Sequence, residues 1–236
     1  MCNTEYTKTG GLMLNLLRVI LLAALAWSAG AAMARCQAHA ASGVPPRVLK
    51  VVVIDTGAGS TTQTCTTPPP DDVPYHGTNI VGIIEKTAGP STLYCIEVRK
   101  VYFNGVFNLQ AYLEVLSTDA DIVHLSLSGT GYLREEVRLM RLLLDRGVLI
   151  VAAAGNDSLN LDNGCNVYPA CADPRIVVIG NGGSQTSNYG KPVDAYLNGQ
   201  KVTGGGLTMS GSSQSAALFT GAVIKKYIEK VSQKHE

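Results

Sequence analysis

Val48-Leu49-Lys50-Val51-Val52-Val53-Ile54 is a β-branched, apolar run of strand length, and Asp55-Thr56-Gly57 stops it. A run so nearly continuous lacks the polar alternation of a half-wet strand and predicts a parallel strand covered on both faces. Working outward, similar runs recur from Tyr94 to Tyr102, Asp121 to Leu127, Val148 to Ala153 and Arg175 to Ile179. Helical patterns lie between them. Asn79 to Ile84 reads as a helix packed into the core, and Leu109, Leu113 and Leu116 sit at helical spacing. So do Leu133, Val137, Met140, Leu143 and Leu144, which leave Arg134, Glu135, Arg138 and Arg141 for the wet face. Strand–helix alternation predicts an α/β three-layer sandwich with a mostly parallel central sheet and right-handed crossovers. In such sheets function collects at the carboxyl ends of the strands.

The 236 residues suit one domain with a substantial core. An apolar fraction of 46% against 16% charged residues excludes a disordered chain, and a net charge of +1 offers no basic field for nucleic acid. The N-terminus has its own pattern. Lys8 and Arg18 precede an apolar run from Val19, which exits through Ala29-Gly30-Ala31-Ala32-Met33-Ala34. This is the pattern of an export signal over residues 1–34, cleaved after Ala34, with a short linker at 35–47 and the folded domain at 48–236. The expected location is therefore outside the cytoplasm, secreted or periplasmic. Membrane contact is expected only if the segment stays uncleaved, and the run is short for a bilayer span. Cys65, Cys95, Cys165 and Cys171 suit an oxidising compartment. Cys165–Cys171 and Cys65–Cys95 are the expected pairs, although four cysteines permit three pairings. A metal site is disfavoured, because no C-x-x-C occurs and no histidine lies near these cysteines.

Four polar residues stand at strand ends and helix starts: Asp55 after the first strand, His76 before Asn79–Ile84, Asn156 after the fourth strand, and Ser213 ahead of an apolar helical segment. A serine at a helix N-terminus lies among unpaired N–H groups and feels the positive end of the dipole, where an oxyanion is stabilised. Asp-Thr-Gly also opens aspartic protease sites, but those need two such carboxylates and the triplet occurs once.

The ordered set Asp55-Thr56-Gly57, His76-Gly77-Thr78 with Gly82, Ala152-Ala153-Ala154-Gly155-Asn156 and Gly211-Ser212-Ser213-Gln214-Ser215-Ala216 resembles the motifs of the subtilisin-like serine protease family. Further matches are Tyr168-Pro169-Ala170, Ser187-Asn188-Tyr189-Gly190 and Val193-Asp194-Ala195, so the resemblance runs from about Val48 to Val231. It implies a subtilisin-like fold and a secreted serine endopeptidase, with Asp55, His76 and Ser213 as the triad. Asn156 and the Ser213 N–H would hold the oxyanion. Leu125, Ser126, Leu127 and Ser128 would pair with an extended peptide or protein substrate, and Ala153, Ala154 and Gly155 would wall the pocket beside it. The family commonly binds calcium, but no ligand set is recognisable, and no other cofactor is expected.

The sequence departs from the family pattern at three places. Ser212 replaces a threonine, Ala217 replaces a proline, and only a dozen or so residues separate Ala34 from the first strand, where members commonly carry a folding prodomain. Such a chain would fold unaided, act with another factor, or be a trimmed-down variant. The alternative function is a catalytically inactive peptide-binding or scaffold protein on the same fold. A lipase-type hydrolase lacks support, since no G-x-S-x-G elbow occurs.

Overall fold

The near-continuous apolar runs become the strands of one parallel sheet. The computed structural model describes residues 47–58, 63–65, 76–101 and 107–233; the expected signal peptide (1–34), nearly all of the linker and its cleavage site lie outside the described residues. Strands β1 (Leu49–Asp55), β2 (Tyr94–Lys100), β3 (Ile122–Leu125), β4 (Leu149–Ala153), β5 (Val177–Asn181) and β6 (Ala195–Leu197) form the sheet in the order β2-β1-β3-β4-β5-β6. Every neighbouring pair is parallel. Helices α1 (His76–Ala88), α2 (Phe107–Leu116) and α3 (Arg134–Asp145) connect the early strands, and α4 (Ser212–Ser232) closes the chain.

Period-two alternation sorts each strand between two cores. On one face Val51, Val53, Ile122, Val151, Ala153 and Ile179 pack against Ile80, Ile83 and Ile84 of α1 and Ala216, Ala217 and Ile224 of α4. On the other, Val52, Ile54, Val123, Leu125, Ile150 and Ala152 pack against α2 and α3. This is the expected three-layer sandwich. The chain moves from β1 outward to β2, then returns to the opposite side of β1 for β3. The strand order therefore reverses between β1 and β3, and the crevice at their carboxyl ends is the switch point where α/β sheets bind ligands.

Two details differ from the sequence expectation. In α2 the buried residues are Ala111, Tyr112 and Val115, while Leu113 is 49% exposed. Spacing identifies a helix, but its rotation is set by what packs against it. Leu133, expected in the core, precedes α3 and is exposed as well. The sequence reading also missed β6 and an antiparallel hairpin of β7 (Val202–Gly204) and β8 (Leu207–Met209), because strands of three residues are too short to show a period. That hairpin lies against α1. A methyl group at Gly82 would overlap the Gly205 nitrogen, which accounts for the glycine six residues after His76.

The structure contains both expected disulfides, Cys65–Cys95 and Cys165–Cys171. The first ties residues 63–65 to the outer edge of β2, where Ile96 N–H donates to Gln63 O and Cys65 N–H to Ile96 O.

Candidate active site

Asp55 lies two residues beyond Val53, so its side chain enters the layer between the sheet and α1. It is wholly buried. A carboxylate there needs hydrogen bonds to offset its lost hydration. Thr56 supplies two, from its N–H at 2.7 Å and its hydroxyl at 3.2 Å. His76, the first residue of α1, supplies the third through Nδ1, at 2.9 and 3.0 Å from the two carboxylate oxygens. The carboxylate accepts in this contact, so the shared proton sits on Nδ1. Gly77 permits this approach, since a side chain there would overlap the Gly57 carbonyl; its N–H donates to the Thr56 hydroxyl at 3.1 Å.

Ser213 is the second residue of α4, so its N–H has no carbonyl within the helix to bond. Among the described residues nothing else accepts from it. Asn156, after β4, accepts the Ser212 N–H on Oδ1 at 2.8 Å. Its Nδ2 then has no acceptor among the described residues, and stands near the α4 start. Two N–H donors thus lie unused beside the serine. The Ser213 hydroxyl donates to the Ser126 carbonyl at 3.3 Å, and among the described residues no hydrogen bond joins it to His76. It rests on the strand, and engaging His76 requires it to leave Ser126. Such bonds are commonly long or misaligned in a free enzyme.

Several buried side chains hold these groups in register, and the sequence reading assigned none of them a role. Asn79, one turn after His76, donates to the carbonyls of Val202, Gly204 and Leu207 and accepts from Gln214 Nε2 at 2.9 Å. It thereby links the histidine's helix to the residue following Ser213. Asn188, from the Ser187-Asn188-Tyr189-Gly190 match, donates to the Ala154 carbonyl at 2.9 Å and accepts from Asp157 and Leu159, which shapes the loop carrying Asn156. A polar residue on an otherwise apolar helix face was the available signal for Asn79.

Leu125, Ser126, Leu127 and Ser128 leave β3 at the rim of the switch point. The Leu125 side chain is buried in the opposite core, so only its backbone faces this end. Ser126 is buried and Ser128 exposed. Just beyond, Gly129 exchanges two backbone hydrogen bonds with Tyr168, in the loop closed by Cys165–Cys171. Ala153, Ala154 and Gly155 are buried behind this segment, where the Ser212 hydroxyl accepts the Gly155 N–H. The structure thus brings Asp55, His76, Asn156, Ser213 and the predicted substrate-binding segments to the carboxyl end of the sheet, while the Cys65–Cys95 disulfide lies toward its amino end. Among the described residues, no group of three or more His, Cys, Asp or Glu side chains could hold a metal ion. No helix among them is long and apolar enough to cross a membrane.

In the sequence His124 is one residue of the apolar run from Asp121 to Leu127. It lies on β3 with its side chain on the face of Asp55, and is fully buried. Burial pushes its pKa down from 6.5 to about 4, against a smaller upward pull from the Asp55 carboxylate and a downward push from His76. Between these two values the unfolded chain binds a proton that the folded one refuses. The stability from keeping His124 neutral is therefore complete above pH 6.5 and drains away as the pH falls toward 4, by about 3 kcal/mol. Urea titrations at pH 7 and pH 4.5 should show a loss in the wild type that is smaller in His124→Gln. Equal losses in the two proteins would contradict it.

In sequence, no family model and no curated protein matches the chain. Solved structures do match it. A cold-adapted subtilisin-like serine proteinase superposes with a TM-score of 0.60 at 22% identity, over 78% of this chain and 76% of that one. A lanthipeptide protease gives 0.62 at 19%, over 79% and 78%, and a prenylagaramide maturation protease gives 0.60 at 20%, over 77% of each. The chain has the subtilisin-like fold.

Proposed function

We propose that the chain is a serine endopeptidase acting through Asp55, His76 and Ser213. The observation that carries this reading is convergence. A buried carboxylate–imidazole pair, a helix-start serine and two unused N–H donors meet at the switch point of a subtilisin-like sheet. Asp55 holds His76 in the tautomer whose Nε2 takes the Ser213 proton, and Ser213 Oγ attacks the scissile carbonyl. The oxyanion is held by Asn156 Nδ2 and the Ser213 N–H. His76 passes the proton to the leaving amine, and water clears the acyl-enzyme by the same route in reverse. An extended peptide would lie along residues 125–128, with a pocket beside Ala153, Ala154 and Gly155 for the side chain before the cut. Two disulfides support export, with residues 1–34 as its signal, 35–47 as a linker and 48–236 as the peptidase domain.

A fluorophosphonate tests the reading directly. The wild type should acquire one label per chain, on the peptide containing Ser213, and Ser213→Ala none. An unlabelled wild type, or equal labelling of the variant, would leave the non-catalytic peptide-binding reading in its place.

A further inference from the structure

A chain of four buried hydrogen bonds runs beneath the candidate nucleophile. Thr220 Oγ1 and His124 Nδ1 are 2.9 Å apart, and His124 Nε2 and Ser126 Oγ are 2.7 Å apart. Ser126 Oγ donates to the Ser213 carbonyl at 3.1 Å, and Ser213 Oγ donates back to the Ser126 carbonyl at 3.3 Å. The direction of the whole chain follows from one end. A carbonyl only accepts, so the Ser126 proton is committed to it, and Ser126 Oγ must accept from His124. His124 is then the Nε2–H tautomer, and Nδ1 accepts the Thr220 proton.

The arrangement fastens α4 to β3 at two levels, through Thr220 directly and through Ser126 to Ser213. His124 and Thr220 are 0% exposed, Ser126 6% and Ser213 9%, so water does not compete for these bonds. The neighbouring positions of this sheet face are valines, Val53 and Val151, beside which an aliphatic side chain would be the ordinary occupant. The charged or titratable groups acting on His124 are Asp55 on β1 and His76 on α1; β4 contributes Val151 and Ala153, and α4 the neutral Thr220.

We infer that His124 is a positioning residue, which orients Ser126 and through it sets the main chain of Ser213 against the strand beside which peptide would bind. The inference rests on the peptidase reading above. His124 touches neither substrate nor the reacting atoms; it acts by fixing where the nucleophile and its N–H stand.

The test uses the full-length protein and three variants, His124→Leu, His124→Gln and Ser126→Ala. Fluorophosphonate inactivation rates, and kcat and KM on a chromogenic peptide, are measured below each variant's thermal transition. His124→Leu should lower kcat and the inactivation rate by roughly 10- to 100-fold, what one or two buried hydrogen bonds are worth, with KM little changed. His124→Gln should recover most of the loss, because its amide nitrogen can donate where Nε2 does. Ser126→Ala should reproduce the leucine effect, and serves alone if His124→Leu does not fold. Wild-type rates in His124→Leu or Ser126→Ala would overturn the inference. So would a glutamine variant slower than the leucine one, the order expected from packing alone. A separate arm needs no activity: imidazole ¹⁵N spectra should show His124 neutral with its proton on Nε2, and a proton on Nδ1 overturns the hydrogen-bond chain. An unlabelled wild type would sink the peptidase reading, and the positioning role of His124 with it, whatever the spectra show.

Discussion

Under the proposed peptidase mechanism, His76→Ala should lower kcat by about 10⁶-fold, and adding Ser213→Ala to it should lower kcat little further. The magnitude is that known for subtilisin's own triad. The non-additivity follows from the hydrogen bonds. Asp55 is wholly buried and its carboxylate points at His76 Nδ1, so Asp55 has no route to the serine except through the imidazole. Ser213 in turn is a weak nucleophile unless a base takes its proton. On that mechanism either deletion should abolish the whole unit, leaving a residual rate from binding and the oxyanion donors. Steady-state kinetics on the two single variants and the double variant measure the coupling. Losses that multiply to about 10¹², or a His76→Ala variant within tenfold of wild type, would show that these side chains do not act as one device.

Asn156→Ala should cost about 10²- to 10³-fold in kcat, or 2.7–4 kcal/mol, with KM nearly unchanged. Its Nδ2 has no acceptor among the described residues and stands at the α4 start, so its bond would form only as the carbonyl oxygen takes charge. The same side chain also accepts the Ser212 N–H through Oδ1, and a loosened helix start could by itself slow the reaction. Asn156→Asp separates the two effects. Aspartate keeps an acceptor for Ser212 but replaces the donor by a negative charge. It should be at least as slow as the alanine variant; recovery toward wild type would assign the residue to the helix start instead.

Much of this architecture is legible in the amino-acid sequence. The five long strands were recognisable as apolar β-branched runs, since a strand covered on both faces must be apolar at nearly every position. Asp55, His76, Asn156 and Ser213 were recognisable from motifs bounded by those strands and helices, where glycines such as Gly77 and Gly82 mark close backbone approach. Other features were not. The three-residue strands β6, β7 and β8 are too short for a period, and the exposure of Leu113 depends on what covers α2. His124 finds its partner 96 residues away, in Thr220, and no local pattern distinguishes it from a stray polar residue in a strand.

The opening run from Val48 to Asp55 illustrates the division. Its composition alone determined a doubly covered parallel strand ending in a carboxylate, because that requirement acts on each residue through its own hydrophobicity. The strand's place beside both β2 and β3, at the point where the order reverses, was decided only by the tertiary structure. So were the Asp55–His76 bond across 21 residues, the selection of one disulfide connectivity among three possibilities, and the resting contact of Ser213 with Ser126. Hydrogen bonds depend on distances of tenths of an ångström between segments remote in the chain. Only the packed sandwich brings those segments together.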